Sequence, residues 1–364
     1  MVQPVRRLPV SGRQAGQDRT GGCEVAFVIT TAQTERAQAK ASALSSPLSA
    51  LPRPALLLAV LVVLLCALAV AFGPVPALQA TINGFVAGSY TGLGAIGLTL
   101  VLGVLKLVNF AHGDLLVTGA YFTILFAWLG LPLPLAMLAA MIATAALALL
   151  TEKIIWQPLR QAKAGSLQLF LSAIGLGLVL RFSVQFFAGS QVRTLGANVV
   201  SSIAIGPLRL GTLQALALVV GLTAMIIVGL ALRFTSIGKE MRAFADNRAL
   251  AEVSGIDTQH IINVTWIAAG FLAALSGILY ATAIGSFNPN FGITLLLSLF
   301  AATVLGGVGN PYGALVGGLV IGLSQEWSTL LFNARWKPAV GFALLILMLM
   351  FMPQGIFGRA KRRS

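Results

Sequence analysis

An all-α fold is predicted for this chain: a polytopic transmembrane bundle of about eight to ten segments, some of them broken or re-entrant. Three features of the sequence support this fold class. Hydrophobic residues make up 57% of the 364 positions and charged residues only 9%, whereas globular domains are about a quarter charged. The mean hydropathy is +0.92. Long apolar runs recur along the chain with short polar or Pro/Gly-containing breaks between them, as in proteins that cross a bilayer repeatedly.

The candidate membrane segments are ten apolar runs. The first run ends at Gly73-Pro74-Val75-Pro76, a sequence that favours a turn. The run at 293–306 is short for a crossing of about 20 residues, so it is the first candidate for a re-entrant or broken helix. The ten runs lie at 55–72, 81–105, 115–130, 133–150, 167–187, 212–232, 261–284, 293–306, 313–332 and 338–352.

Lysine and arginine predict the orientation of these segments. If the N-terminus is cytoplasmic, the breaks near 106–112, 151–166 and 233–258 and the C-terminus fall on the same side, and most basic residues lie there. The sequence therefore predicts a protein of the bacterial plasma (inner) membrane with both termini cytoplasmic. The net charge of +14 follows this distribution and forms no basic stripe with interleaved aromatics, so nucleic-acid binding is not indicated. The opposite breaks hold only Arg193, Arg209, Arg335 and Lys337.

Composition divides the chain into three parts. Residues 1–52 form a basic tail with Gly, Gln, Ser and Pro that is expected to be disordered in the cytoplasm. Residues 53–357 form the transmembrane domain, which includes the cytoplasmic loop 233–258, and residues 358–364 form a short basic cytoplasmic tail. Cys23 and Cys66 are too few and too badly placed for a disulfide framework or a metal site.

A polar cluster interrupts the apolar pattern in GVLKLVNFAHGDLLVTGAY, residues 103–121. Ionisable groups at membrane depth are costly unless they face protein or a water-filled path, so this cluster is a candidate functional site. Asn109 and Asp114 could satisfy backbone groups freed at a helix break, Gly113 would allow the chain to turn, and His112 would lie beside the path. Two roles remain open, a structural or gating break and direct contact with substrate. The topology places the cluster toward the cytoplasmic side.

The cytoplasmic loop is the second candidate site. Good helix formers without Pro or Gly predict one helix from about Lys239 to Ser254, with Gly255 as its C-terminal cap. Its small and apolar residues alternate with charged ones, which suits insertion into a groove on a soluble partner. An ordinary amphipathic interfacial loop is the equally weighted alternative. The candidate residues are Met241, Arg242, Ala243, Phe244, Ala245, Asp246, Arg248 and Gly255.

Two further stretches carry weaker signals. LGGVGNPYG at 305–313 matches neither a P-loop nor a dinucleotide fingerprint, and it predicts a break between two helices, the second starting at Asn310-Pro311. Glu326-Trp327 is interpreted as an interface anchor, with a substrate contact as the alternative.

Catalysis is not indicated. His112 and His260 are the only two histidines, and no Ser/His/Asp, Cys/His or metal-ligand spacing is visible. The chain is therefore predicted to have no catalytic residues and no metal site.

Four motifs in order give a family resemblance. They are GLGAIGLTLVLGVLKLVNFAHGDLLVTGAY (92–121), AFADNRALAEVSGI (243–256), LGGVGNPYGALVGG (305–318) and MPQGIFG (352–358). Together they resemble the permease subunits of the branched-chain or neutral amino acid ABC importers, of the type that pairs with a second, related permease. The resemblance covers nearly all of the chain from about residue 80 onward.

The resemblance implies a transport subunit that is not an enzyme. Its partners would be a second permease, two cytoplasmic ATPase subunits and an extracytoplasmic substrate-binding protein, besides membrane lipid. ATP and Mg would be bound by the ATPases, so no cofactor is expected in this chain. The segment 243–255 corresponds to the part of such permeases that couples to the ATPase, although Ala243-Phe244-Ala245 departs from the family's strict Glu-Ala-Ala form. The implied mechanism is alternating access driven by the partner ATPases.

The substrate is not identified by the sequence. Permeases of this kind also serve urea and short amides, so these remain an alternative to branched-chain or other neutral amino acids. An ion-coupled secondary transporter or channel would use Asp114 or Glu326 as its coupling group. The long cytoplasmic loop and the family motifs disfavour that class, and the lack of a polar catalytic set disfavours a membrane-embedded enzyme.

Overall fold

The computed structural model describes residues 53–195, 202–351 and 354–357. The two predicted tails, 1–52 and 358–364, lie outside these residues. Over the described ranges the fold is helical apart from one short hairpin, which confirms the predicted all-α class, and each predicted membrane segment coincides with a helix. The helices are α1 (Arg53–Phe72), α2 (Pro74–Leu105), α3 (His112–Trp128), α4 (Leu133–Thr151), α5 (Gln157–Gln161), α6 (Ser166–Ala188), α7 (Thr212–Phe234), α8 (Ser236–Asp246), α9 (Arg248–Val253), α10 (Thr258–Ile284), α11 (Phe291–Gly306), α12 (Pro311–Trp327) and α13 (Lys337–Phe351).

Five helical stretches of the described chain are long and apolar enough to cross a membrane. Four of them are α2, α6, α7 and α10, and the fifth joins α4 to α5 through a π-helical turn at Glu152–Trp156. The apolar stretch Leu57–Phe72 and α11 are shorter. The chain is therefore a multi-pass helical bundle in which some apolar helices fall short of a full crossing.

Helix α2 is the centre of the bundle. It is 32 residues long, and its 18-residue apolar window is 89% buried, compared with 17% for α6 and for α7. It begins at Pro74, seven residues before the predicted apolar run, because Pro74 and Pro76 lie in the first turn, where proline needs no hydrogen-bonded amide. The polar residues Gln79 and Asn83 concealed this start from the hydropathy pattern.

Glycines bring α2 and α12 into backbone contact in antiparallel orientation. A Cβ atom on Gly322 would lie 2.2 Å from the amide nitrogen of Gly88, and one on Gly318 would lie 2.2 Å from Cα of Gly92. Small residues at four-residue spacing permit such close packing, and packing is the main force between helices in lipid. The sequence pattern of Gly84, Gly88 and Gly92 with Gly318 and Gly322 therefore forms one helix–helix interface.

The chain leaves helical geometry between α2 and α3. Lys106 ends α2 in the left-handed region, with φ +56°, and the next helix begins at His112. The imidazole of His112 lies beside Gly94 and Gly97, in the middle of α2. Since Gly97 and Gly94 precede Leu105 by eight and eleven residues, the His112 imidazole lies about 12–16 Å back along α2 from its end. The start of α3 therefore lies beside the middle of α2 rather than at its end.

The two ends of the bundle are distinct. The end that holds α8, α9 and the adjoining ends of α7 and α10 is called the loop end. At the opposite end, called the cavity end, α10 finishes, α11 starts, α12 finishes and α13 starts. A two-stranded hairpin, β1 (Ser202–Ile205) and β2 (Leu208–Gly211), precedes α7 at the cavity end, and the backbone of Arg209 pairs there with the side-chain amide of Gln79 at 2.8 and 2.9 Å.

Candidate functional site

A cavity of about 380 Å³ lies at the cavity end of the bundle. Its walls come from α2, α7, α10, α11, α12 and the start of α13. Apolar side chains such as Val86, Ile284 and Leu295 share the lining with amide, hydroxyl and charged groups. This mixture of an apolar wall with a few polar groups is typical of small-molecule sites.

An ion pair between Glu326 and Lys337 forms part of the cavity wall. The Lys337 ammonium lies 2.5 Å from the Glu326 carboxylate, and the two side chains are 33% and 13% exposed. Glu326 lies near the end of α12 and Lys337 begins α13, so the pair connects two helices across the turn between them. Both charges are accessible from the cavity rather than sealed in the protein.

Aromatic and amide groups line the deeper part of the cavity. Tyr90 and Tyr280 meet edge to face at 5.3 Å between ring centroids, and Tyr280 stacks on Phe291 at 4.7 Å. The Gln325 side-chain amide donates a 2.9 Å hydrogen bond to the Ser298 hydroxyl, which fixes both polar groups against each other. These contacts give the cavity a rigid inner wall.

Trp327 does not anchor the protein at an interface. Its side chain is only 4% exposed, and its indole N–H donates a 2.9 Å hydrogen bond to the Thr81 hydroxyl on α2. It packs with Leu68, Ala77 and Leu323 in a hydrophobic cluster. The interface-anchor interpretation of Glu326-Trp327 is therefore wrong: Trp327 is a core residue, and Glu326 lines the cavity.

The polar cluster at the start of α3 is closed by an ion pair. Asp114, 2% exposed, accepts two hydrogen bonds from the guanidinium of Arg181 on α6, at 2.9 and 3.0 Å. A carboxylate in the first turn is favoured by the helix dipole, and the bidentate guanidinium neutralises it. Gly177 leaves the room for this carboxylate, since a Cβ atom there would lie 2.7 Å from it. Asp114 thus joins α3 to α6 instead of capping the backbone.

The side chains of Asn109 and His112 and the backbone at Gly113 make contacts within the protein. The Asn109 side-chain oxygen accepts a 3.1 Å hydrogen bond from the Ala111 amide, and His112 Nε2 lies 3.1 Å from the Gly94 carbonyl oxygen. Gly113 lies inside α3 and forms no turn; a Cβ atom on it would meet the Gly292 carbonyl oxygen at 2.5 Å. The lining of the cavity at the other end of α3 does not include these residues or Asp114.

The loop 233–258 contains two helices instead of the single one predicted. Asn247 leaves helical geometry, with φ −153° and ψ 102°, because its side chain caps α9 by accepting a 3.1 Å hydrogen bond from the Leu250 amide. Gly255 follows α9 with φ +86°, as expected of a C-terminal cap, and Asp257 caps α10. The break at Asn247 divides the loop into α8 and α9.

The loop residues divide into an inner and an outer set. Met241 and Phe244 are 3% and 4% exposed, and the Arg248 guanidinium lies over the Phe244 ring at 5.6 Å. Arg242 donates a hydrogen bond to the Leu232 carbonyl. Exposed apolar surface is carried instead by Leu250, 63% exposed, and Val253, 86% exposed. The outer set of candidate residues is Arg242, Ala243, Asp246, Arg248 and Gly255, while Ala245 is half-buried.

The described residues contain no group of three or more His, Cys, Asp or Glu side chains that could hold a metal ion.

Comparison with known proteins identifies the family. A family model described as branched-chain amino acid transport system / permease component matches residues 80–349. The chain belongs to this permease family. Its relatives include the high-affinity branched-chain amino acid transport system permease proteins LivH of Salmonella typhimurium and BraD of Pseudomonas aeruginosa. Each is 33% identical over 296 residues, which span 78% of this chain and 96% of the relative.

The similarity extends to a permease named for a sugar. Ribose import permease protein RbsC of Escherichia coli is 27% identical over 271 residues, 71% of this chain and 81% of that protein. Relatives named for an amino acid and for a sugar thus share most of the bundle. The substrate of this family member has to be argued from its own residues.

Two of the motifs that carry the family resemblance meet in the structure. The break predicted in LGGVGNPYG is confirmed: α11 ends at Gly306, and Asn310 caps α12 by accepting hydrogen bonds from the Tyr312 and Gly313 amides. The C-terminal motif covers the end of α11, because the Ile356 amide donates a 2.9 Å hydrogen bond to the Leu305 carbonyl. Carbonyls left free at a helix end are thereby satisfied.

Sequence reasoning did not find the partners of the two acidic residues. Arg181 lies 67 positions from Asp114 in the sequence. The only feature that could have indicated a role was that it is a lone basic residue within an apolar segment. Lys337 lies 11 positions from Glu326, across a turn, and it was counted only as a topology signal. Both pairs could have been suspected from the rule that charges at membrane depth are paired.

Proposed function

We propose that this chain is the permease subunit of an ATP-binding cassette importer for branched-chain or other neutral amino acids. The observation that carries the proposal is a polar, ion-paired cavity at one end of a bundle whose sequence belongs to the branched-chain amino acid permease family. The alignment with LivH and with BraD covers 96% of each relative, and both are named as branched-chain amino acid permeases. The chain acts as a transport subunit and carries no catalysis of its own.

The energy comes from partner chains in this proposal. Two cytoplasmic ATPase subunits bind ATP and Mg, a second related permease completes the membrane core, and an extracytoplasmic binding protein delivers the substrate. The loop end then faces the cytoplasm and the cavity end faces the binding protein, with the protein in the bacterial inner membrane and both termini cytoplasmic. The basic residues that lie near the loop end support this orientation.

The contact with the ATPase is proposed at the exposed residues of the loop, which are the outer set together with Leu250 and Val253. Phe244 and Met241 are buried in this chain, so they support α8 and do not reach a partner. Leu250 and Val253 of α9 present exposed apolar side chains, and Ala243 of α8 is exposed as well. A short amphipathic helix of this kind fits a groove on a soluble protein. ATP binding by the partner would push on α8 and α9 and reorient the bundle, so that the cavity is exposed alternately to the two sides.

Reconstitution tests the proposed function. The chain is co-expressed with its second permease and ATPases, placed in proteoliposomes and supplied with the binding protein and radiolabelled leucine. Uptake is expected only when ATP and all partners are present. Transport of leucine by this chain alone, or by an ion gradient without ATP, would overturn the proposal and favour a secondary transporter.

Val253→Asp is expected to uncouple the importer. A carboxylate at the centre of a docking contact is desolvated without a partner charge, so leucine uptake and substrate-stimulated ATP hydrolysis should fall to about a tenth or less. The measurement is uptake and phosphate release by the reconstituted complex.

The matched control for this prediction is Ala162→Asp. It places the same carboxylate at an exposed position of the loop end but in the turn between α5 and α6. Normal coupling in the control and loss of coupling in Val253→Asp support docking at α9. Equal coupling in both variants contradicts it.

A further inference from the structure

We propose that Glu326 and Lys337 form a binding site for the zwitterionic backbone of a neutral α-amino acid within the cavity. This inference rests on the proposed transport function and assigns two residues of this chain to the recognition of its substrate. The ammonium group of the amino acid would lie against the Glu326 carboxylate, and its carboxylate against the Lys337 ammonium. The existing 2.5 Å pair would open to admit the two groups.

Charge balance supports this site. The pair contributes one negative and one positive charge to the cavity, and a zwitterion contributes one of each. The site is therefore neutral both empty and occupied, and no net charge enters the bundle with the substrate. Charged groups in a membrane protein are costly when unpaired, so a site that exchanges one pair for two pairs avoids that cost in both states.

The accessibility of the ion pair also supports the proposed binding site. The Lys337 side chain is 33% exposed and the pair lies on a cavity wall, so a ligand in the cavity can reach both charges. The pair joins α12 to the first residue of α13, so it can separate by movement of one helix. Charge-assisted hydrogen bonds at an accessible pair can be exchanged for equivalent bonds to a ligand.

The remaining lining suits an apolar side chain. Val86, Ala87, Ile284 and Leu295 are among the apolar residues of the cavity, and the aromatic side chain of Tyr280 lines it with them. A volume of about 380 Å³ is within the range of small-molecule sites. An uncharged urea or amide would bring no counter-charge to either member of the ion pair, so the chemistry favours a zwitterion with an aliphatic side chain.

The test is the double variant Glu326→Gln/Lys337→Gln in the reconstituted importer. Both charges are removed together, so neither is left unpaired, and the amides can still hydrogen-bond to each other. Leucine uptake is expected to fall at least about tenfold, because two charge-assisted contacts with the substrate are lost. Basal ATP hydrolysis and co-purification of the ATPases are expected to stay unchanged.

Two further measurements separate substrate binding from structural support. Arg335→Gln removes a cation two positions away that is not part of the cavity wall, and it should leave uptake unchanged. The charge-exchanged variant Glu326→Lys/Lys337→Glu restores an ion pair between α12 and α13 but reverses the site, so uptake should remain low. Recovery of wild-type uptake in the exchanged variant, or wild-type uptake in the Gln/Gln variant, would overturn the inference.

Failure of this inference is distinguishable from failure of the proposed function. If the wild-type complex imports leucine with ATP and the Gln/Gln variant does so equally, the importer stands and the site is wrong. If the wild-type complex imports no amino acid, the proposed function itself fails.

Discussion

Arg181→Met is expected to destabilise the bundle by about 3–5 kcal/mol, because it leaves the Asp114 carboxylate buried without its partner. The two hydrogen bonds from the guanidinium are the only hydrogen bonds of that carboxylate that the structure shows among its described residues. Most of the loss comes from the uncompensated charge rather than from the lost attraction. Equilibrium unfolding of the purified complex in mixed micelles measures the change in the free energy of unfolding.

A double-mutant cycle defines the cause. Asp114→Leu/Arg181→Met removes both charges, and its stability should lie closer to the wild type than that of either single variant. Arg193→Met is the matched control, since Arg193 is exposed and lies just beyond the same helix; its effect should stay within about 0.5 kcal/mol. If Arg181→Met were as harmless as Arg193→Met, the pair would contribute little to the fold.

Gly322→Ala is the second large expected effect. A Cβ atom there would lie 2.2 Å from the Gly88 amide nitrogen and 2.5 Å from its Cα, and backbone cannot move aside as a flexible side chain can. Overpacking of this kind costs about 1–3 kcal/mol and more when neither helix can shift. A lower thermal midpoint and a smaller yield of assembled complex on size-exclusion chromatography are the expected readouts.

The control for this prediction is Gly175→Ala on α6. Gly175 is also within a helix, but a Cβ atom there would meet nothing within 4 Å. Alanine is the better helix former by about 1 kcal/mol, so this variant should be neutral or slightly stabilising. Equal destabilisation by both substitutions would show that the close approach of α2 and α12 does not limit the stability of the bundle.

The sequence predicted the elements that depend on local composition. Each apolar run found by hydropathy coincides with a helix, and the Asn-Pro signal placed the start of α12 at its observed position. Prediction of the loop helix failed at Asn247, because the absence of Pro and Gly says nothing about a side chain that prefers to cap the next helix. The start of α2 was misplaced because proline in a first helical turn resembles a break.

The candidate sites depended on contacts between distant residues, which composition does not encode. Phe244 was interpreted as a docking residue from its place in an amphipathic pattern, but the pattern has two faces and does not say which one meets this chain's own bundle. Asp114 likewise lies beside the middle of α2 because residues 106–111 run back along that helix. The hydropathy of residues 106–111 does not indicate this path. The ion pairs Asp114–Arg181 and Glu326–Lys337 are products of the tertiary fold.

The glycine contacts between α2 and α12 also restrict how this protein can move. Helices in backbone contact cannot slide or rotate past one another without a clash, so α2 and α12 must travel as one body. Glu326 is fixed to that body, whereas Lys337 belongs to α13, on which Gly341 is the only buried residue among those whose exposure is described. Any opening of the cavity therefore has to displace its other walls, and a hinge between Trp327 and Lys337 would act directly on the distance between the two charges.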